Sequence, residues 1–152
     1  MTVPTQISSA AFVAADACAP VLSVRNLDIS VRSEAGIQPL VRGLSFDLKP
    51  GETLAIAGES GSGKSLTSLA IMGLLPPPAV HVSGGEIVFD GADLTTLPEH
   101  KLQRLRGDRI AMIFQEPMTA LNPVMRIGDQ LTEAIRAHEP MSGRAARLRA
   151  LE

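Results

Sequence analysis

The sequence has 152 residues, a length that favours one domain or part of a larger one. Hydrophobic residues make up 45% and charged residues 20% of the chain, and the formal net charge of −2 provides no basic field for binding nucleic acid. Cys18 is the single cysteine, which excludes an internal disulfide. No apolar stretch reaches the ~20 residues that span a bilayer, so we expect a cytoplasmic protein.

The first part of the chain predicts a tail followed by two strands. Residues 1–20 are rich in Ala and Ser and contain no Lys or Arg, so we expect a disordered N-terminal tail and no secretory signal. Apolar and polar residues alternate over residues 22–31 and again over residues 44–48, which predicts two half-buried strands. The turn residues 33–36 follow the first of these strands.

The rest of the chain predicts strands that alternate with helices. The short apolar run at residues 53–57 is typical of a buried parallel strand, and residues 110–114 predict another apolar strand. Residues 86–89 predict a further strand before a turn at Asp90 and Gly91. The predicted helices cover residues 64–75, residues 98–106, a stretch with apolar residues at 127, 131 and 135, and a last helix capped by Ser142. This order indicates a mixed α/β domain.

A phosphate-binding loop is the strongest chemical signal in the sequence. Residues 58–65 match the pattern G-x-x-x-x-G-K-[ST] at every fixed position, between a predicted buried strand and a predicted helix. Glycines let the backbone N–H groups surround an anion, the lysine meets the β- and γ-phosphates of a nucleotide, and the last hydroxyl is a ligand for Mg²⁺. The predicted nucleotide-binding residues are Gly58, Glu59, Ser60, Gly61, Ser62, Gly63, Lys64 and Ser65.

This loop alone does not distinguish GTPases, kinases, helicases and transport ATPases. Residues 110–123 read IAMIFQEPMTALNP, and Gly51 and Glu52 lead into the strand before the loop. These stretches resemble the nucleotide-binding domain of ATP-binding cassette (ABC) transporters, and in particular the importer subunits for peptides, nickel and glutathione. The resemblance extends from about residue 21 to residue 152. It implies a P-loop NTPase core with an antiparallel β subdomain and the start of a helical subdomain.

The resemblance also implies roles for three residues outside the fixed loop positions. Leu66 would contribute its backbone N–H to the phosphates. Gln115 would contact Mg²⁺ and the attacking water, and its position would respond to a membrane partner. Val31 stands where the family usually stacks an aromatic residue on adenine. A valine has neither a π-face nor a donor pattern, so Val31 by itself predicts weak discrimination between ATP and GTP.

Three further elements of the family pattern do not occur in residues 1–152: the Leu-Ser-Gly-Gly-Gln signature, an acidic strand with a catalytic Glu, and a switch His. We therefore expect residues 21–152 to be the truncated N-terminal part of an ABC domain. The resemblance implies ATP and Mg²⁺ as cofactors, transmembrane permease subunits and a second ATP-binding domain as partners, and a peripheral location on the cytoplasmic face of the inner membrane. Two alternatives stay open: a fragment that binds nucleotide without hydrolysis, and a soluble P-loop phosphotransferase.

Overall fold

A computed structural model describes residues 19–34, 36–114 and 121–151 of the protein. The chain divides into two compact units, one ending at Leu102 and the other beginning at Gln103. The expected tail falls outside the described residues as far as position 18. In chain order, the described elements are β1 (Leu22–Ser33), β2 (Gly36–Leu48), α1 (Lys64–Ile71), β3 (Val80–Phe89), β4 (Ala92–Asp93), α2 (Glu99–Leu105), α3 (Ile127–His138) and α4 (Gly143–Arg149).

The first unit is built on an antiparallel sheet with the strand order β2-β1-β3-β4. The alternating pattern of the sequence is confirmed, because Val24, Leu27 and Ile29 of β1 are fully buried while polar residues alternate with them. The turn between β1 and β2 is confirmed as well, and Gly36 takes a φ of 105° there, a conformation that favours glycine. β2 begins at this turn, well before the predicted start of the strand.

One face of this sheet, here called the core face, carries the apolar side chains. Residues that lie directly opposite each other on neighbouring strands place their side chains on the same face. The core-face pairs of β1 and β2 are Leu22 with Leu48, Val24 with Phe46, Leu27 with Leu44, Ile29 with Val41, and Val31 with Gln38. Between the last two pairs β1 advances by two residues and β2 by three, so β2 contains a bulge. The bulge keeps Val41 and Gln38 on the same face.

Helix α1 ends earlier than the sequence predicts. The prediction placed its end at residue 75 before three prolines, whereas the helix ends at Ile71. Gly73 takes a φ of 63°, and the N–H of Leu74 donates to the carbonyl of Leu69 at 2.8 Å. A glycine in this left-handed conformation closes the last turn and satisfies its carbonyls, so the helix stops before the prolines act.

The second unit contains α3 and α4, and both predicted helices are confirmed. The hydroxyl of Ser142 accepts a hydrogen bond from the N–H of Ala145 at 3.3 Å, which is the predicted cap of α4. The two helices are joined by an ion pair of 3.2 Å between Arg147 and Asp129.

Helix α2 and the turn at Asp90 are also confirmed.

Two predicted strands, a buried parallel one at residues 53–57 and an apolar one at residues 110–114, are wrong. Residues 53–57 and 110–114 form no strand, and the described part of the chain contains only a single bridge at this place, between Arg106 and Ile110. The side chain of Ile113 is 99% exposed and that of Phe114 is 53% exposed. A parallel strand is held by neighbouring strands on both sides. Neither segment has such a neighbour among the described residues, so the apolar pattern alone does not produce a sheet.

Candidate functional site

The predicted phosphate loop lies between residues 52–57, which form no helix or strand, and helix α1. The ammonium group of Lys64 is folded back over the loop. It donates to the carbonyls of Gly58 and Glu59, each at 2.7 Å, and to the hydroxyl of Ser62 at 3.3 Å. The positive charge is thus held at the centre of the loop, where a phosphate would meet it.

The N-terminus of α1 has no cap from a side chain. Its N-cap residue is Gly63, and the first turn contains no acidic residue. The first intrahelical hydrogen bond runs from the N–H of Thr67 to the carbonyl of Gly63 at 2.9 Å. Because the N–H groups of the first turn have no intrahelical acceptor, those of Lys64, Ser65 and Leu66 remain for an anion at the positive end of the helix.

The glycines of the loop are required by its geometry. A Cβ atom at Gly58 would lie 2.6 Å from the hydroxyl oxygen of Ser62, so a side chain here would force the Ser62 hydroxyl to move. Gly63 takes a φ of 95°, which strains any residue with a Cβ atom. The N–H of Ser62 donates to the carbonyl of Glu59 at 3.2 Å and fixes the turn of the loop.

Two residues that support the loop were not predicted from the sequence. The hydroxyl of Thr67, which is fully buried, donates to the carbonyl of Gly63 at 3.0 Å. Val41 of β2 packs against Gly63, since a Cβ atom at Gly63 would lie 2.6 Å from its Cγ2 atom. The hydrogen bond of Thr67 could have been predicted, because a threonine four residues after a helix N-cap can donate to the carbonyl of that residue. Nothing in the sequence indicates the second, which depends on the tertiary fold.

The loop fits a magnesium–nucleotide complex. Ser65 is exposed in the first turn of α1, a helix whose N-terminus has no side-chain cap. A hydroxyl is one of the hard oxygen ligands that Mg²⁺ accepts beside phosphate oxygens. No cluster of three or more His, Cys, Asp or Glu residues that could hold a metal alone occurs within residues 19–34, 36–114 and 121–151.

Two further predicted site residues, Val31 and Gln115, lie outside the loop sequence. Val31 is half-buried on the core face of β1, between Gln38 of β2 and Val80 of β3. Gln115 lies outside the described residues, so its predicted role stays a prediction. None of the described helices is long and apolar enough to cross a membrane.

The α/β architecture and the phosphate loop define a nucleotide-binding cassette of the ABC class. The family model for ABC transporters matches residues 41–151, which are most of the chain. The chain belongs to the ABC transporter family.

Curated relatives narrow the likeness to transporters of peptides. The chain is 52% identical over 131 residues to the oligopeptide transport ATP-binding protein OppD of Bacillus subtilis, covering 86% of this chain and 37% of that protein. It is 54% identical over 127 residues to the dipeptide transport ATP-binding protein DppD of the same organism, covering 84% and 38%. OppD of Escherichia coli is 49% identical over 121 residues. The chain thus spans well under half the length of these relatives.

The fold agrees with that of a solved ATP-binding cassette. The dimeric cassette MJ0796, in a post-hydrolysis state bound to ADP and Pi, matches with a TM-score of 0.71 at 26% sequence identity. The match covers 86% of this chain and 54% of that one. The expected fold class, an α/β cassette with an antiparallel sheet, is confirmed.

Proposed function

We propose that this chain forms the phosphate-binding part of an ATP-binding subunit that drives peptide import. The observation that carries the proposal is the loop at residues 58–65, in which the ammonium group of Lys64 binds loop carbonyls and helix α1 begins without a side-chain cap. The names of the relatives, which are oligopeptide and dipeptide transport ATP-binding proteins, support peptides as the transported class. The hydrolysis of ATP and its coupling to uptake are activities of the whole subunit.

The residues of the loop would act mainly by holding the triphosphate in place. The N–H groups at the start of α1 would bind phosphate oxygens, and Lys64 would exchange its carbonyl contacts for the β- and γ-phosphates. The partners of its ammonium group, Gly58 and Glu59, already fix its position before ATP arrives. These contacts would be given up when the phosphates bind, so their loss reduces the net gain in affinity.

Mg²⁺ would be held by the Ser65 hydroxyl together with the phosphates, where it neutralises charge on the transferred group. We further propose that Gln115 orients the attacking water and contacts the metal, and that Val31 contacts adenine. A neutral amide can accept a hydrogen bond and also ligate a cation, which suits Gln115 to this position. Val31 offers an apolar surface on the inner strand β1, between β2 and β3.

The proposed partners are transmembrane permease subunits and a second ATP-binding domain. The solved cassette MJ0796 is itself a dimer, which supports pairing of two such domains. The subunit would then be peripheral to the cytoplasmic face of the inner membrane. The two alternatives, nucleotide binding without hydrolysis and phosphotransfer to a small acceptor, lack a feature of the described residues that favours them over transport.

The test uses the full-length gene product together with its permease. Uptake of a labelled dipeptide and of a labelled oligopeptide is measured in cells that lack the gene and carry either the wild-type protein or Lys64→Ala. We expect uptake only with the wild-type protein. Equal uptake with both proteins would exclude the phosphate loop as the motor. Phosphate release from MgATP without any peptide uptake would support an ATPase with another cargo.

A further inference from the structure

One core-face position of the sheet holds an amide where its neighbours are apolar. Four of the five core-face pairs of β1 and β2 join two apolar residues, and the fifth pairs Val31 with Gln38. On its other side Val31 pairs with Val80 of β3, so Gln38, Val31 and Val80 form a row across three strands. Gln38 is exposed, and both valines are half-buried. This row is an apolar platform with an amide at one edge.

The row lies beside the phosphate loop. Ile29 pairs with Val41, whose Cγ2 atom would lie 2.6 Å from a Cβ atom at Gly63. Val31 is two residues further along β1, so the row is displaced by about 7 Å from this contact on the same face. A ribose and an α-phosphate bridge a gap of this order between the β-phosphate and the base. A nucleotide held at the loop can therefore place its base over Val31.

The bulge in β2 decides which face carries the amide. Val41 and Gln38 are three residues apart, and in a regular strand they would point to opposite faces. Because β2 advances by three residues while β1 advances by two, both side chains lie on the core face. Without the bulge, Pro39 would stand opposite Val31. The irregularity thus presents a polar side chain beside the valine.

We propose that Gln38 reads the adenine base of ATP over the platform formed by Val31 and Val80. The inference rests on the proposed binding of ATP at the loop. A glutamine amide can present one N–H donor and its carbonyl acceptor side by side, which match the N7 acceptor and the N6 donor of adenine. Guanine presents two acceptors, N7 and O6, on the same edge, so in the same arrangement the amide carbonyl would face a second acceptor. Gln38 supplies the donor pattern that Val31 lacks. It also precedes residues 41–151, which the family model matches.

The test compares nucleotides that differ at single atoms, using the full-length gene product. Affinities are measured for MgATP, MgGTP, 7-deaza-ATP and tripolyphosphate, in the wild-type protein and in Gln38→Met, which keeps the length of the side chain but removes the amide. Gln38→Leu provides a second such variant. Ile37→Met is the control, because Ile37 pairs with Arg32 on the opposite face.

We expect the wild-type protein and Ile37→Met to prefer ATP over GTP by about fivefold to tenfold. This preference is at the lower end of the discrimination that a bidentate contact between an amide and adenine provides. They should bind 7-deaza-ATP more weakly than ATP. In Gln38→Met and Gln38→Leu the affinity ratios of ATP to GTP and of ATP to 7-deaza-ATP should both approach one. The affinity for tripolyphosphate should stay unchanged. A preference for ATP that survives in both variants would overturn the inference.

Two other results separate this inference from the proposed function. If tripolyphosphate and ATP bind but the wild-type protein treats ATP and GTP alike, the role of Gln38 is wrong and the phosphate site stands. If neither tripolyphosphate nor ATP binds, the phosphate site is wrong, and the role of Gln38 is excluded with it. The midpoint of thermal unfolding is measured for each variant. A midpoint equal to that of the wild-type protein shows that a changed affinity does not come from misfolding.

Discussion

Val41 and Gly63 connect the antiparallel sheet to the phosphate loop. A Cβ atom at Gly63 would lie 2.6 Å from Cγ2 of Val41 and 3.7 Å from the carbonyl oxygen of Leu40. The contact sets how near β2 comes to the loop, so it links the fold of the sheet to the shape of the anion site. Gly63 is then required for two reasons, its φ of 95° and its close packing.

We predict that Gly63→Ala destabilises the first unit more than Gly61→Ala does. Both glycines have a positive φ, 95° at Gly63 and 81° at Gly61, which costs an alanine about 1–2 kcal/mol. A Cβ atom at Gly61 would meet nothing within 4 Å, whereas at Gly63 it collides with Val41 and adds about 1–3 kcal/mol. The free energies of unfolding of the two variants measure the difference.

The same pair of residues provides a double-mutant cycle. Val41→Ala removes the colliding methyl groups, so the double variant with Gly63→Ala should be less destabilised than the sum of the two single variants. We expect a coupling of roughly 1 kcal/mol or more between contacting residues. Strict additivity would show that the two side chains do not meet.

The second prediction concerns the charge at the centre of the loop. Lys64→Ala should weaken MgATP binding by about 10- to 100-fold, because a charge-assisted hydrogen bond contributes about 1.5–3 kcal/mol. Lys101→Ala, at an exposed lysine of α2, is the matched control and should leave affinity unchanged. Isothermal titration with MgATP measures both. Normal affinity in the Lys64 variant would remove the basis for the site.

Local features of the fold were predictable from the sequence, and tertiary ones were not. The hairpin of β1 and β2, the cap at Ser142 and the phosphate loop depend on periods and turn residues within a few positions, and all are present. The bulge in β2 and the contact of Val41 depend on how two strands pair, which no local pattern specifies. For the same reason the apolar residues 53–57 predicted a strand, although strand formation needs a pairing neighbour.

The third prediction follows from a cluster on the other face of the sheet. The carboxylate of Asp47 accepts a hydrogen bond from the hydroxyl of Ser23 at 2.5 Å and forms an ion pair with Arg25 at 2.9 Å. The Ser23 hydrogen bond, and after it the Arg25 contact, lowers the pKa of Asp47 below its ordinary 3.8. The ionised form is thus favoured in the folded state. Its stabilisation is complete above pH 3.8 and is lost as the pH falls through the lower folded pKa.

Asp47→Asn should therefore cost about 0.5 kcal/mol at pH 7, a small value because the Asp47 side chain is 41% exposed and screened by solvent. The difference from the wild-type protein should shrink as the pH falls below 3.8. Denaturant titrations at several pH values measure it, with Asp108→Asn at an exposed turn as the control. A cost that grows in acid would contradict this assignment.

The fourth prediction separates binding from turnover at Gln115. Gln115→Ala should lower the coupled rate of ATP hydrolysis more than it lowers nucleotide affinity, since an amide that orients water acts after binding. Gln103→Ala, at an exposed glutamine of α2, is the control. The rate is measured in the reconstituted transporter and the affinity in the same preparation. Equal losses in both would indicate that Gln115 only helps to hold ATP.

The last prediction is that the 152-residue chain, purified alone, binds nucleotide poorly and has no ATPase activity above background. The loop can hold phosphates, but hydrolysis also needs a group that activates water and stabilises the transition state. None of the described residues at the loop has that role. The chain also spans only 37% of its relative OppD.

The exposed apolar segments give this prediction a second basis. Ile113 is 99% exposed and Phe114 is 53% exposed, and residues 53–57 have no strand partner among the described residues. Exposed apolar side chains and unpaired backbone N–H and C=O groups of this kind favour association with other copies. The chain and the full-length gene product are therefore expressed side by side and compared by light scattering, MgATP affinity and phosphate release. We expect the short chain to associate and to remain inactive. If the short chain is monodisperse and hydrolyses ATP, the prediction is wrong. Residues 1–152 would then be sufficient for ATP hydrolysis, and neither the unpaired segment nor a missing catalytic group would prevent it.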